Sequence, residues 1–191
     1  FATGLSGTYD DYNEQLTTSA LAGDFSRIDR SVGAFFEYTY DNSSNFSFVA
    51  GIRADSHNNL GNFITPRFHL RYNPWKEATF RLSAGRGKRA ANVIAENQQL
   101  LASSRQLHII GGDGGKLYGL NPEIAWNYGA SFLQAFKIWG KNAELSVDFY
   151  RTHFDNQVVV DLDHSPQQAL FYNLDGKSFA NSLQAEVSIS P

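Results

Sequence analysis

Alternation of apolar and polar residues with a period of two runs through most of this chain, and it restricts the possible folds more than any other feature. Asn45 to Arg53 sets Phe46, Phe48, Ala50 and Ile52 against Ser47, Val49, Gly51 and Arg53. Arg67 to Tyr72 opposes Phe68, Leu70 and Tyr72 to Arg67, His69 and Arg71. Thr79 to Gly85 opposes Phe80, Leu82 and Ala84 to Thr79, Arg81, Ser83 and Gly85. Ser182 to Ile189 repeats the pattern with Leu183, Ala185, Val187 and Ile189 on the apolar side, and Ser31 to Asp41 follows it except at Phe35. Neighbouring side chains of an extended strand point to opposite faces, so each segment is a ribbon with one greasy and one polar side. The expected class is all-β and antiparallel. At roughly 10 residues per spanning strand, about eight strands are predicted, near 1–12, 30–40, 46–54, 65–73, 78–86, 124–137, 143–153 and 179–190.

The ribbons come in hairpins. Asp41-Asn42-Ser43-Ser44, Asn73-Pro74-Trp75-Lys76 and Trp139-Gly140-Lys141-Asn142 are made of residues that permit tight reversal. Longer connections lie between them, near 13–29, 56–62, 87–123 and 161–169. Short and long connections alternate, so an up-and-down sheet gathers its short turns at one end and its long loops at the other. That polarity is expected of a transmembrane β-barrel, with short periplasmic turns and long extracellular loops. Tyr38, Tyr40, Tyr72, Trp75, Phe136 and Trp139 cluster beside the short turns, as rings at a membrane interface do. Charged residues are 18% of the chain, below the roughly 25% of soluble domains. A soluble β-sandwich, such as a glycan-binding module, shows the same alternation because its apolar faces meet in a core. The polar sides here carry Arg53, Arg67, His69, Arg71 and Arg81 while the apolar sides carry few charges, which favours a hydrated lumen facing one way and lipid the other.

Several chemistries are excluded. Lys and Arg number 16 against 19 Asp and Glu, so there is no broad basic surface for nucleic acid. The chain has no cysteine, which removes disulfides, thiolate metal sites and cysteine nucleophiles. His57, His69, His108, His153 and His164 are scattered without ligand-like spacing and read as ordinary polar residues. Gly111-Gly112-Asp113-Gly114-Gly115-Lys116 fails as a phosphate loop, because Leu117 follows the lysine and Ile110 stands where glycine is needed. Gly176-Lys177-Ser178 fails in the same way at Phe171. Gly4-Leu5-Ser6-Gly7 does not complete a nucleophile elbow. Asp10-Asp11 and the pair Asp161 and Asp163 read as solvated strand ends. No catalytic residue, metal site or cofactor is predicted, and the chain is not expected to be an enzyme.

The longest connection, 87–123, spans about 37 residues, a length at which loops tend to be functional or disordered. Val93 to Leu101 has the composition of a short helix, and Arg86, Lys88 and Arg89 form a basic patch at the loop's start. The strand entering it, Leu82 to Asn92 with Gly85-Arg86-Gly87-Lys88-Arg89-Ala90-Ala91-Asn92, resembles the strand-to-loop segment of TonB-dependent outer-membrane receptors. Leu120-Asn121-Pro122-Glu123 with Ala125-Trp126-Asn127-Tyr128-Gly129 is similar to that family's Leu-x-Pro-Glu segment and next strand. Val147 to Thr152 with Asn156-Gln157-Val158-Val159, and Thr65 to Pro74, resemble the strands on either side. The series covers most of the chain in the family's order. Lys88 and Ala91 depart from the usual aromatic and proline.

The resemblance implies a partial barrel domain over 1–191, excised from a barrel of about 22 strands. By that resemblance the plug domain of the same full-length chain, and TonB through the segment preceding it, are expected partners supplied from outside 1–191. It further implies residence in the Gram-negative outer membrane, among lipid, and active import of a scarce nutrient such as a siderophore, haem, cobalamin or an oligosaccharide. Ligand or plug contacts are expected from Arg86, Lys88, Arg89, Asn92, Arg105, His108 and Tyr118, with the three basic residues facing the lumen. A passive outer-membrane porin is the alternative that the same barrel pattern permits.

Overall fold

The computed structural model describes residues 1–13, 15–17, 22–24, 26–111 and 117–190. In chain order the elements are β1 (Ala2–Tyr12), β2 (Gln15–Thr17), β3 (Ala22–Asp24), β4 (Arg27–Asp41), β5 (Phe46–His57), β6 (Gly61–Tyr72), β7 (Ala78–Arg89), α1 (Val93–Glu96), α2 (Gln98–Leu101), β8 (Gln106–Ile109), β9 (Glu123–Ile138), β10 (Lys141–Asn156), β11 (Val158–Asp161), β12 (Gln168–Asn173) and β13 (Ser178–Ile189). Eight of the strands form one sheet in the order β1-β4-β5-β6-β7-β9-β10-β13, antiparallel throughout. Each neighbour in the sheet is the next long strand in sequence, as an up-and-down barrel wall requires.

Local chemistry makes the short turns. The Asn42 side chain accepts the N–H groups of Ser44, Asn45 and Phe46 at 3.1, 3.0 and 2.9 Å, so one residue satisfies most of the β4–β5 reversal. Asn73 holds the β6–β7 turn by donating to the Ala78 carbonyl and the Thr79 hydroxyl. Trp139 and Gly140, with φ of 50° and 77°, are the two residues between β9 and β10. Two successive positive φ values match the right-handed twist of the flanking strands.

All eight predicted long strands are present, and most run further at the loop end than alternation suggests. One connection is corrected. The segment 56–62 was expected among the long loops, yet β5 continues to His57 and β6 begins at Gly61, leaving a three-residue turn. His57 Nδ1 accepts the Asn59 and Leu60 N–H groups at 3.1 and 3.2 Å, and Gly61 takes φ of 71°. Asn58 and Asn59 then reach across to the Ile28 carbonyl and Asp29 of β4. Polar residues read as a loop here serve as turn and cross-strand partners.

The sheet has two unlike faces and, among the described residues, no second layer packed on it. Register lines up Phe46, Tyr72, Phe80, Phe132, Val147 and Ala185 across β5, β6, β7, β9, β10 and β13 on one face. The neighbouring row, Ser47, Arg71, Arg81, Ser131, Asp148 and Gln184, faces the other way. Leu5 and Val187 on the greasy face are 88% and 61% exposed. A sandwich would have hidden such residues between stacked layers. Strands of 11 to 16 residues, at roughly 3.3 Å per residue, suffice to cross an apolar band of about 25 Å while tilted. Near the short turns the greasy face is ringed with aromatics: Tyr40 packs on Phe48 at 5.7 Å, Phe48 on Phe68 at 6.1 Å, and Phe80 on Phe132 at 4.6 Å.

The buried apolar cluster lies outside the sheet, in the loops. Val93, Leu100, Leu107, Leu120, Ala169 and Phe171 form it. They come from two connections, β7–β9 and β10–β13, which are joined by β8 pairing parallel to β12 and by β12 pairing antiparallel to β11. The single helix expected over 93–101 is two four-residue helices, because Asn97 leaves helical geometry and its side chain donates back to the Val93 carbonyl. Residues 112–116, which carry most of the rejected phosphate-loop motif, lie outside the described residues.

Candidate functional site

The site sits where the polar face meets this folded loop body. Strand alternation divides the basic patch at the end of β7. Gly85, Gly87 and Arg89 share the polar face with Arg81 and Ser83, whereas Arg86 and Lys88 share the other face with Leu82 and Ala84. Only Arg89 therefore faces the lumen as expected for all three; consecutive strand residues cannot point the same way.

Arg86 and Lys88 are used within the wall. The β6–β7 ladder stops at Arg67 and Gly85, next to Pro66, which has no N–H to donate. Beyond that point Arg86 Nη1 donates to the Ile64 carbonyl at 3.2 Å and Lys88 Nζ to the Leu60 carbonyl at 2.6 Å. Two long side chains thus satisfy one carbonyl of β6 and one of the turn before it where the backbone ladder has opened. Lys88 also lies 5.2 Å from the Phe63 ring centroid.

Arg89 is the centre of a carboxylate pair. Its guanidinium donates to Glu123 at 2.7 Å and makes a two-pronged contact with Glu96 at 2.9 and 3.1 Å. Glu123, only 7% exposed, also accepts the Val158 N–H at 3.1 Å. One carboxylate therefore ties β7, β9 and β11 together at the base of the loop body. Below it a recess of about 470 Å³ opens toward the lumen, lined by Arg89, Glu123, Asn127, Thr152, Phe154 and Gln157 among others. Gly87 and Ala125 leave it open on one side. Thr152 and Asn127 are hydrogen-bonded across strands at 2.7 Å.

The other predicted residues are distributed over the loop body. Asn92 caps α1 by accepting the Ala95 N–H at 3.0 Å, and it accepts the Tyr118 hydroxyl at 2.9 Å. Tyr118 itself adopts φ of 55°, in the tight bend closed by Leu117 and Leu120. Arg105 Nη1 donates to three carbonyls, of Leu162, Ser165 and Gln168, at 2.8 to 3.1 Å, and so fastens one loop to the other. His108 is exposed on β8, opposite Leu170 of β12. Arg89 thus faces the recess, while Asn92, Arg105 and Tyr118 organise the body above it. Sequence reading passed over Glu123, Glu96, Asn127, Thr152 and Gln157. Glu123, Asn127, Thr152 and Gln157 had a signal, since each lies in a quoted family-like segment; Glu96 is an ordinary polar residue until the fold places it beside Arg89.

Further down the polar face, glycines let long side chains lie flat. A Cβ on Gly33 would collide with the Asp55 carboxylate, and one on Gly51 would meet Arg67 at 3.0 Å. Asp55 is held by Arg53, which also reaches Ser6, and Arg67 crosses Gly51 to pair with Glu37. Gly129 likewise makes room for Ser83 and Tyr150.

Comparison with known proteins agrees with this geometry. Residues 2–188 match the family model described as TonB dependent receptor-like, beta-barrel. No curated protein sequence matches the chain. Among solved structures, the siderophore receptor PirA from Pseudomonas aeruginosa aligns with a TM-score of 0.62 at 15% identity, over 96% of this chain and 35% of that one. A mutant of the ferric enterobactin receptor PfeA from the same organism, in complex with enterobactin, aligns with a TM-score of 0.63 at 16% identity, over 96% and 30%. PfeA in complex with another compound gives 0.57 at 18% identity, over 84% and 24%. The chain therefore spans between about a quarter and a third of these receptors' length, and the likeness is one of fold.

Proposed function

Since the chain belongs to the TonB-dependent receptor-like β-barrel family, we propose that it forms part of the wall of an outer-membrane receptor that imports a scarce nutrient using energy relayed through TonB. The observation that carries this reading is the pairing of a one-layer, lipid-ready sheet with a folded loop body over a polar recess. The chain performs no covalent chemistry in this scheme. Its greasy face meets lipid, its polar face meets a plug domain supplied by the same full-length protein, and its loop body borders the ligand.

The ligand class we favour is a ferric siderophore or a molecule of similar size. Support comes from the solved structures of similar fold, which are siderophore and ferric enterobactin receptors. It comes also from the recess, where Asn127, Thr152 and Gln157 offer polar groups for hydrogen bonding. His108 and Tyr118 remain candidate contacts from above.

The test uses the full-length receptor in a Gram-negative host lacking its own siderophore receptors. Restored growth on a panel of iron-siderophore complexes under iron limitation, lost when TonB is deleted, is the expected result. Uptake that persists without TonB, with ohmic conductance in planar bilayers, would instead establish the porin alternative.

A further inference from the structure

A charged side chain on the lipid side of a barrel is costly at depth and tolerated near an interface. The greasy face of this wall nevertheless carries a cluster of them. Register places Arg86 opposite Trp126 and Lys88 opposite Ile124 on β9, and Arg151 of β10 opposite Tyr128. All three cations therefore share the face of Phe80, Phe132 and Val147. Trp126 and Tyr128 stand between them, stacked at 6.1 Å. Measured from Glu77 and Lys141 at the short turns, at roughly 3.3 Å per residue and a tilt of about 40°, the three rise about 23 to 28 Å. That is the far edge of an apolar band about 25 Å tall, on the side of the loop body.

Among the described residues no carboxylate pairs with any of the three. Arg86 and Lys88 each give one donor to the wall, at Ile64 and Leu60. Arg151 gives one to Asn181 at 3.3 Å, and its guanidinium covers the Phe179 ring at 4.3 Å. Each cation keeps further N–H donors. Of the acids on β10, Asp148 belongs to the opposite face, and Asp155 lies at the bulge before Asn156, 3.8 Å from His153. Beside Arg86 the greasy face is hollow. Leu5, Ala34, Ala54 and Ile64 stand in one register row, and the two alanines leave an open channel of about 840 Å³, lined also by Val32 and by Arg86. Ser56 and Asn62 bring polar groups to its loop-side end.

We propose that this rim is a specific site for one lipid of the outer leaflet whose headgroup carries two phosphates. Arg86 with Lys88 holds one phosphate, Arg151 holds the other, and the channel over Ala34 and Ala54 takes an acyl chain. Guanidinium forks match phosphate oxygens in pairs, and a lysine adds a point charge. Two phosphates are needed because Arg151 lies two strand spacings from Arg86 and one same-face step along, roughly 12 Å away. A lipid fits better than a free anion, since the cations adjoin an apolar channel on the side that faces the membrane. The inference rests on the membrane-barrel reading above and goes beyond import, because the site lies on the opposite face of the wall from the recess beneath the loop body.

The experiment uses the intact receptor, stripped of lipid in detergent, and native mass spectrometry. The probes are diphosphoryl lipid A, its monophosphoryl form, phosphatidylglycerol and inorganic phosphate. Arg86→Gln with Arg151→Gln removes charge from the rim, Ala54→Leu fills the channel, and Arg71→Gln removes a cation from the lumenal face as a control. Expected is one tightly bound diphosphoryl lipid, with the other two lipids at least fivefold weaker. The double glutamine variant should bind it at least tenfold more weakly and Ala54→Leu at least threefold, while Arg71→Gln binds as the unaltered receptor does. Equal binding by all variants, or an equal loss in Arg71→Gln, overturns the site. So does displacement of the lipid by millimolar inorganic phosphate, which marks a patch for any anion. If the lipid-free double variant loses heat resistance in detergent gels, the arginines serve the wall, and Ala54→Leu, which leaves every hydrogen bond in place, decides alone. Failure here with TonB-dependent uptake intact leaves the receptor reading standing. A receptor that purifies as a monomer without detergent would end both.

Discussion

Replacing Glu123 by alanine should release the loop body from the barrel wall without unfolding the wall. The carboxylate accepts from the Arg89 guanidinium at 2.7 Å and from the Val158 N–H at 3.1 Å, in a position 7% exposed. Arg89 keeps Glu96 and is itself largely exposed, so losing that half costs about 0.5–1 kcal/mol. The Val158 amide loses the carboxylate that accepts it, and an orphaned, partly buried N–H costs about 1–3 kcal/mol. Together the local opening of the loop body becomes easier by about 1.5–4 kcal/mol, or roughly 10- to 1000-fold. Hydrogen exchange in the intact receptor reads this directly, as lost protection across β11, β12 and β8 with no change in β9 or β10 away from the site. Glu123→Gln keeps a carbonyl for Val158 and forfeits only the charge, so its protection should fall by about two- to fivefold. Equal losses in the two variants, or a change below threefold in Glu123→Ala, would refute the assignment of the Val158 bond as the dominant contribution.

Phe171→Ala removes a ring that is 2% exposed in the loop cluster, and should cost that unit about 3–5 kcal/mol; proteolysis should then cut the loops while the folded barrel's gel mobility stays unchanged. Arg105→Met deletes the donor to the Leu162, Ser165 and Gln168 carbonyls, so cleavage within 162–168 should quicken by about tenfold or more, a loss of about 1.5–3 kcal/mol. Trp139→Asn should raise stability in detergent by about 1 kcal/mol, because asparagine tolerates the positive φ of that turn better than tryptophan. In bilayers the same variant should give up this gain, since Trp139 is 88% exposed at the turn end, where an interfacial ring is favoured.

Much of the wall was legible because strand formation is a local rule with a short period. Phe46 to Ile52 and Leu183 to Ile189 announce their greasy face whatever surrounds them, and Asn42 and Asn73 announce their turns. The misreading at 56–62 arose because histidine and asparagine are polar in loops and turns alike. That His57 would fold back on Asn59 and Leu60, with Asn59 crossing to Asp29, depends on β4 being alongside. The candidate site was less legible. Arg86, Lys88 and Arg89 are close in sequence, yet strand alternation puts two of them on the face where open carbonyls near Pro66 wait and leaves the third for Glu123.

Alternation and turn residues determined by themselves that this chain is an antiparallel wall with one greasy and one polar face. Those properties depend on residues one or two positions apart. Tertiary structure decided what lies far apart in sequence: that Phe171 shares a core with Val93, that Arg105 holds the carbonyls of 162–168, and that Arg86 and Arg151 share one rim. Burial and charge pairing across such separations exist only once the strands are in register, because a contact's energy depends on distance in space and the sequence records only distance along the chain.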